Sequence, residues 1–327
     1  MPSLNERFFI VGGAGFIGSH FCDALLRDYN AAAVTIYDNF SSGREWHYAE
    51  HLNDERFKVV RGNVHEREKM ADAMAGHEVV IHLASNPDIA KAMTEPDIDF
   101  REGTELTNNV VEAMRVSSVS RILYASGSGV YGEAADIEFR EDHHPMHPIS
   151  TYGASKLAGE ALICAYAHMF DMTALCFRFG NVVGPRQTHG VGYDFVKRLS
   201  QDSSRLPILG NGTQTKSYIA VNDVIAAVLF AHQKCEERFA AYNVATGDYI
   251  TVQEIGELAA EIVLGSEANK VKFEYTRGDR GWRGDVPIVR INTDAIKTLG
   301  WRCEMPTRDA MAWSMKSMLS QVKEGLL

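Results

Sequence analysis

The chain has 327 residues, of which 45% are hydrophobic and 23% charged, values typical of a folded globular protein. This composition argues against a disordered, collagen-like or membrane-embedded chain. The formal net charge of −10 and the lack of a long Lys/Arg run argue against nucleic acid or an anionic membrane as the main partner.

The first half of the chain alternates short apolar runs with segments of helical periodicity. Helical spacing of apolar residues is found at 16–26, 100–116 and 151–169. Runs of strand length occur at 8–11, 34–37, 57–60, 79–83, 121–125 and 173–177. This alternation predicts an α/β fold with a doubly wound parallel sheet of the Rossmann type.

The rhythm changes after Gly180. An apolar run at 207–209 precedes glycines, and helices are expected near 222–234, 252–263 and 307–322. We therefore predict a Rossmann domain at 1–180, to which later segments return, and a smaller α/β lobe at 181–327.

A glycine-rich motif joins the first strand to the first helix. Gly12 and Gly13-x-Gly15-x-x-Gly18 follow the strand directly, and residues without Cβ let the backbone approach a pyrophosphate. Asp38 ends the second strand, where a carboxylate can accept hydrogen bonds from ribose hydroxyls. The pattern predicts that the first domain binds NAD rather than NADP. The lobe after Gly180 is then expected to bind the substrate.

A possible catalytic pair lies at the start of the helix 151–169. Tyr152 and Lys156 are four residues apart and so share one helix face. A neighbouring ammonium is expected to lower the pKa of the phenol and to permit proton exchange with a substrate hydroxyl.

These motifs together resemble the extended short-chain dehydrogenases/reductases over residues 7–303. Within that superfamily, Tyr218-Ile219-x-Val221-x-Asp223 and residues 281–286 (GWRGDV) most resemble the UDP-glucose 4-epimerases, especially archaeal-type members. The segments that carry the wider resemblance are 12–20 (GGAGFIGSH), 38–43 (DNFSSG), 82–84 (HLA), 130–132 (VYG), 152–156 (YGASK) and 181–186 (NVVGPR).

The resemblance implies roles for individual residues. Tyr152 and Lys156 would be catalytic and would also contact NAD, with Ser126 and Ser128 as further catalytic candidates. The substrate would be bound by Asn181, Lys216, Tyr218, Arg283 and Asp285. The remaining implied NAD contacts are Gly12, Gly15, Phe16, Ile17, Gly18, Asp38, Asn39, Ser41, Ser42, Gly43, Asn63, Val64, Leu83, Ala84 and Ser85.

The sequence departs from the family pattern at three positions. Gly127 stands where relatives usually carry a Ser or Thr, Gly103 where they carry an asparagine, and Asn63 where they carry an aspartate near the adenine. Ser128 and Gly129 replace the Asp-Glu pair of the 4,6-dehydratases, which argues against a conventional dehydratase.

The leading hypothesis is NAD-dependent C4 epimerisation of a nucleotide-diphosphate sugar, most simply a UDP-hexose, through a 4-keto intermediate. The alternatives are a sugar-nucleotide dehydratase, decarboxylase or reductase of glycan or natural-product synthesis, and a non-catalytic NAD-binding regulator. His143, His144 and His147 lie in a Pro-containing segment without a regular ligand face, so we predict no metal site.

Five scattered cysteines without a C-x-x-C pair are expected to be reduced thiols. The apolar run 8–11 is far shorter than a signal peptide core, and we therefore expect a cytoplasmic enzyme without a membrane partner. The family resemblance implies a homodimer formed through the helix 151–169.

Overall fold

The structure, a computed structural model, describes residues 4–134, 137–276, 278–282 and 284–326. In these ranges the strands are β1 (Arg7–Val11), β2 (Ala33–Asp38), β3 (Phe57–Arg61), β4 (Val79–His82), β5 (Arg121–Gly127), β6 (Glu138–Phe139), β7 (Thr173–Phe179), β8 (Asn181–Val183), β9 (Arg205–Ile208), β10 (Thr215–Lys216), β11 (Tyr218–Ala220), β12 (Phe239–Val244), β13 (Ile250–Thr251), β14 (Lys272–Tyr275) and β15 (Arg290–Ile291). The α-helices are α1 (Phe16–Asp23), α2 (Arg67–Met74), α3 (Leu106–Ser117), α4 (Thr151–Met169), α5 (Val191–Gln201), α6 (Val221–Lys234), α7 (Val252–Leu264), α8 (Asp294–Leu299) and α9 (Thr307–Lys323).

The largest sheet has seven strands, in the order β12-β7-β5-β4-β1-β2-β3. The pairings of β1 with β2 and β4, of β2 with β3, and of β4 with β5 are parallel. The chain reverses its direction of winding between β1 and β4, which is the point where such sheets bind ligands. The prediction of a doubly wound parallel sheet is confirmed.

The apolar runs form strands because both faces of the sheet are covered. All four residues of β4 are buried, as are the last four of β1, which matches the continuous apolar run of a central parallel strand. Strand β3 lies at the edge and has three partly buried and two exposed residues.

The chain divides into two compact units. The first contains Met1–Val130, Thr151–Arg178 and Val228–Tyr242, and the second contains Tyr131–Ser150, Phe179–Ala227 and Asn243–Leu327. A core of buried residues such as Phe9, Val110 and Ile163 fills the first unit. Helices α5, α7 and α9 enclose a separate core in the second.

The segment predicted as one helix over 100–116 has two parts. Residues Phe100–Glu105 form a wider π-helical turn, and α3 begins only at Leu106. A Cβ on Gly103 would lie 2.5 Å from Ser155 Oγ, so the missing side chain lets this turn approach α4 closely.

Several elements of the second half were not predicted from the sequence, among them α5, α8, β12 and β14. Helix α8 has only six residues, and β14 pairs in parallel with β9 far away in sequence. Short, half-exposed strands have no distinctive local pattern, because their stability comes from the partner strand.

Candidate active site

The glycine turn after β1 is too tightly packed for side chains. Gly12 has φ +85°, and a Cβ on it would lie 2.8 Å from the backbone nitrogen of Ala84. A Cβ on Gly18 would lie 2.4 Å from the Gly12 carbonyl oxygen. No side chain caps the N-terminus of α1 at Gly15, and its first turn has no acidic residue. The turn therefore offers backbone N–H groups to an anionic group such as a pyrophosphate.

Asp38 connects this turn to the loop after β2. Its Oδ2 accepts a hydrogen bond from Ala14 N at 2.9 Å, and its Oδ1 accepts one from Phe40 N at 2.7 Å. Burial raises the pKa of Asp38, and the two backbone N–H groups oppose that shift. Each carboxylate oxygen keeps a second lone pair for a ribose hydroxyl.

The other predicted cofactor contacts lie along the same edge of the sheet. A Cβ on Gly43 would lie 2.7 Å from Ala14 Cβ, which brings the loop 39–43 against the glycine turn. Asn39 Oδ1 accepts from Ser41 N at 2.9 Å. Asn63 is exposed, and its carbonyl oxygen accepts from Tyr37 Oη at 3.0 Å. The glycine cradle, the held carboxylate and these loops fit a dinucleotide.

Tyr152 and Lys156 lie on the first turns of α4, as predicted. Lys156 is 3% exposed, its Nζ donates to Ala125 O at 2.8 Å, and it lies 5.5 Å from the centre of the Tyr152 ring. Burial lowers the pKa of Lys156 to about 8, while the charges of Glu160 and Asp99 act in the opposite direction. The backbone carbonyl of Ala125 on β5 thus holds the lysine ammonium over one face of the Tyr152 ring.

The titration of Tyr152 differs from the expectation drawn from sequence. Burial raises the pKa of the phenol, a hydrogen bond with the Ser85 side chain lowers it, and the charge of Asp99 raises it further. Lys156 was expected to lower this pKa. Desolvation of the partly buried ring outweighs any such effect, because it disfavours the charged phenolate.

Consecutive residues after β4 connect the two halves of this site. Ala84 lies against Gly12 of the glycine turn, and Ser85 is hydrogen-bonded to Tyr152. Leu83 N and Ala84 N both donate to Val11 O, at 2.9 and 3.0 Å. The paired strands β1 and β4 thus place the tyrosine beside the glycine cradle.

The two candidate catalytic serines have different environments. Ser126 is buried, and its hydroxyl donates to Glu160 Oε1 at 2.5 Å. Ser128 is partly buried and begins a 3₁₀ turn over Ser128–Val130, next to α4. A Cβ on Gly127 would have no heavy atom within 4 Å. Ser126 is therefore committed to Glu160, and the position between the serines faces open space.

The predicted substrate residues lie in the second unit, in two groups. Asn181 and Tyr218 are paired in register on β8 and β11, and Asn181 Nδ2 donates to Ser217 O at 3.1 Å. Lys216 Nζ donates to the buried carboxylate of Asp285, which also accepts from Gly281 N at 3.1 Å. Burial raises the pKa of Tyr218. Arg283 lies outside the described residues.

Sequence reasoning missed several buried charged residues in the first unit. Glu160 and Arg178, both about 5% exposed, form an ion pair with an Nη2 to Oε2 distance of 2.7 Å. Asp99 is 1% exposed and lies near both Tyr152 and Lys156. The spacing from Lys156 to Glu160 places them on one helix face, but nothing local indicates that Glu160 is buried.

His82 is the last residue of β4. It is fully buried, its Nε2 lies 3.1 Å from Thr107 Oγ1, and burial lowers its pKa to about 3. The side chain is therefore neutral at physiological pH. It is a structural histidine of the sheet.

One group of side chains in the described ranges has the spacing of metal ligands. It consists of Asp23, Glu50 and His51. His51 Nε2 lies 2.6 Å from Asp23 Oδ1, and Glu50 is paired with Arg27.

Among the described helices, each is too short or too polar to cross a bilayer.

The buried lysine leads to a prediction about stability. Because the pKa of Lys156 is about 8 in the folded chain and 10.5 in the unfolded chain, only the unfolded chain keeps this proton between these values. The free energy of unfolding of the native chain should therefore rise with pH over that window. The stability difference between the native chain and Lys156→Met should change by about 3 kcal/mol in favour of the native chain.

Urea unfolding of both proteins at several values between pH 7.5 and pH 10.5 measures this difference. Groups common to the two proteins cancel in the comparison. A difference that stays constant with pH would show that Lys156 titrates at its ordinary value.

Comparison with known proteins agrees with this geometry. Residues 8–245 match the NAD dependent epimerase/dehydratase family. A putative UDP-glucose 4-epimerase of Methanocaldococcus jannaschii is 30% identical over 311 residues, 92% of this chain and 95% of the relative. A dTDP-glucose 4,6-dehydratase of an Actinoplanes species is 28% identical over 94% of this chain and 95% of its own. A crystal structure of a UDP-galactose 4-epimerase is 32% identical, with a TM-score of 0.84 over 97% of this chain and 99% of its own.

Proposed function

The chain belongs to the NAD dependent epimerase/dehydratase family, and on this premise we propose that it inverts the C4 centre of a nucleotide-diphosphate hexose. The proposal is carried by two consecutive residues. Ala84 lies against the glycine turn, and Ser85 is hydrogen-bonded to Tyr152, so they connect the tyrosine to the cofactor cradle. The cofactor of the family is NAD, and the glycine cradle fits it. When bound, NAD supplies a reversible acceptor for the hydride at C4.

We propose the following division of cofactor contacts. Backbone N–H groups at the start of α1 hold the pyrophosphate, and Asp38 holds the adenosine ribose. Its negative charge also disfavours a 2′-phosphate. The surrounding contacts are those expected from the sequence: Gly12, Gly15, Phe16, Ile17, Gly18, Asn39, Ser41, Ser42, Gly43, Asn63, Val64, Leu83, Ala84, Ser85, Tyr152 and Lys156.

The proton chemistry is assigned to Tyr152. Its phenolate takes the proton of the C4 hydroxyl as the sugar is oxidised to the 4-keto form, and the phenol returns a proton when the sugar is reduced on its other face. Lys156 holds a positive charge beneath the ring and is fixed by Ala125 O. Its ammonium stabilises the negative charge on the phenolate.

The second unit is proposed as the substrate-binding lobe. Asn181, Lys216, Tyr218 and Arg283 would contact the nucleotide diphosphate, where cations form charge-assisted hydrogen bonds. Asp285 occupies one donor of the Lys216 ammonium and fixes its direction, which leaves the others for phosphate oxygens. The uridine base is proposed because the similar epimerases are named for UDP sugars.

The experiment that tests this function follows the sugar by proton NMR. Purified enzyme with NAD is given UDP-glucose, UDP-N-acetylglucosamine or UDP-glucuronate. We expect one of them to reach an equilibrium with its C4 epimer. If all three stay unchanged, the proposed activity on UDP sugars is wrong.

A second candidate is a sugar-nucleotide dehydratase, decarboxylase or reductase. The open space at Gly127 favours it, because this space admits a substrate with a bulkier group near the reacting carbon. The mass of the product separates the two candidates. Epimerisation conserves mass, whereas loss of water or carbon dioxide lowers it and reduction raises it.

We also propose a cytoplasmic homodimer. The five cysteines form no disulfide, which suits a reducing compartment. Near the C-terminal ends of α3 and α4, the side chains of Val116, Met169 and Phe170 are 61%, 72% and 40% exposed. Exposed apolar groups of this size favour a protein interface.

The dimer proposal predicts the effect of a charge on this surface. Met169→Asp should convert the dimer to a monomer, because burying an unpaired carboxylate opposes association. Light scattering after gel filtration measures the mass. Leu52→Asp, at an equally apolar and 59% exposed position, is the matched control and should leave the dimer intact. A native chain that elutes as a monomer would disprove the proposal.

A further inference from the structure

Most hydroxyl groups near Tyr152 are engaged away from its phenol. The Ser126 hydroxyl donates to Glu160 at 2.5 Å, and the Ser155 hydroxyl donates to the backbone oxygen of Tyr152 at 2.8 Å. Gly127, between Ser126 and the 128–130 turn, has no side chain to offer. Within the described residues, β5 therefore provides no hydroxyl that is hydrogen-bonded to the phenol of Tyr152.

A hydroxyl from a different strand reaches the phenol instead. Ser85 lies three residues after the end of β4 and is hydrogen-bonded through its side chain to Tyr152. This bond lowers the pKa of Tyr152, and a phenolate oxygen can only accept, so the serine is the donor once the tyrosine has lost its proton. Ser85 thus touches the reacting atom of the tyrosine.

A buried carboxylate fixes the two segments that carry this hydrogen bond. Asp99 Oδ1 accepts from Asn86 Nδ2 at 2.9 Å, and Asp99 Oδ2 accepts from Thr151 Oγ1 at 2.6 Å. Asn86 follows Ser85, and Thr151 precedes Tyr152. We call these three residues, Asn86, Asp99 and Thr151, the carboxylate clamp. At 1% exposure, Asp99 holds both segments without reaching a substrate itself.

We propose that Ser85 is the catalytic hydroxyl that donates to the phenolate of Tyr152 during proton transfer, and that the carboxylate clamp positions it. The inference deepens the proposed function, on which it rests. Ser85, which follows β4, thus provides the hydroxyl donor that Gly127 cannot provide because it has no side chain.

The electrostatic surroundings explain why such a donor is needed. Burial and the charge of Asp99 both raise the pKa of Tyr152. The Lys156 Nζ lies 5.5 Å from the centre of the Tyr152 ring and 5.1 Å from that of the buried Tyr124 ring, and the charge of Glu160 also acts on the lysine. His82 is neutral. Ser85 therefore supplies a short-range stabilisation of the phenolate against two opposing effects.

The test replaces Ser85 with alanine and titrates Tyr152 directly. A hydrogen bond to a charged group shifts a pKa by about one to two units. At about pH 10, the tyrosinate absorbance of Ser85→Ala holoenzyme, measured against Tyr152→Phe as the baseline, should fall roughly tenfold from the native signal. In the pH dependence of the reaction, on the acidic side of the profile, kcat of Ser85→Ala should fall by a similar factor while KM changes little.

Two further variants keep the test decisive. Ser85→Thr retains the hydroxyl and should restore both the tyrosinate signal and kcat. Ser128→Ala removes the other nearby serine hydroxyl and should shift the titration less than Ser85→Ala does. If Ser85→Ala leaves the tyrosinate signal unchanged, or if Ser128→Ala produces the larger shift, the assignment to Ser85 is wrong.

The titration also separates this inference from the proposed function, because it needs no turnover. A shifted titration without conversion of any nucleotide sugar would support the role of Ser85 and reject the epimerase. If the native enzyme converts a nucleotide sugar but Ser85→Ala changes neither the titration nor the rate, the epimerase is supported and the role of Ser85 is rejected.

Discussion

We expect Tyr152→Phe to lower the rate of epimerisation by about 10³ to 10⁴-fold, the upper part of the range for loss of a general acid–base group. The variant keeps the ring that packs above Lys156 and loses only the oxygen that exchanges the proton. NAD binding should change by less than about twofold, since the cradle and Asp38 are intact. The anomeric proton signals of the sugar nucleotide give the rate, and the nucleotide released on denaturation gives the NAD content.

Tyr166→Phe is the matched control for this prediction. Tyr166 lies on the same helix, and its hydroxyl donates to Glu112 on α3. Loss of that phenol should leave the rate within about twofold of the native value, since it touches no part of the site. A Tyr152→Phe enzyme that retained a tenth of the native rate would show that another group exchanges the proton.

We expect Glu160→Ala to lower the free energy of unfolding by about 3 to 5 kcal/mol, because it removes one member of a buried ion pair. The two side chains are 4% and 5% exposed, and three hydrogen bonds join them. The variant also removes the acceptor of the Ser126 hydroxyl. Urea unfolding followed by circular dichroism measures the loss.

An exposed pair gives the comparison for this effect. Glu267 and Lys270 form an ion pair in which the side chains are 59% and 69% exposed. Glu267→Ala should cost less than about 1 kcal/mol, because water screens exposed charges. Equal losses for the two variants would show that the Glu160–Arg178 pair contributes no more than a surface contact.

The sheet and the cofactor motif could be predicted because their signals are local. A strand buried on both faces must be continuously apolar. The turn requires glycines because a Cβ on Gly12 or Gly18 would lie only 2.8 or 2.4 Å from neighbouring backbone atoms. Tyr152 and Lys156 are recognisable for a similar reason. Their spacing of four residues is a property of the helix itself.

The electrostatics of the site could not be predicted in this way. The pKa of Tyr152 depends on its burial and on Asp99, more than fifty residues earlier in the chain. Neither Asp99 nor Glu160 belongs to a recognisable sequence motif, and a buried carboxylate looks like a surface one until its partners are known. The same holds for Lys216, whose partner Asp285 comes from another segment.

The position of β12 at the edge of the sheet, beside β7, has a consequence for biosynthesis. About sixty residues, most of them belonging to the second unit, are translated between these two strands. Until residue 244 has left the ribosome, the outer edge of β7 exposes unpaired backbone groups to neighbouring nascent chains. A protein truncated near residue 180 would carry this open edge permanently and should aggregate during expression.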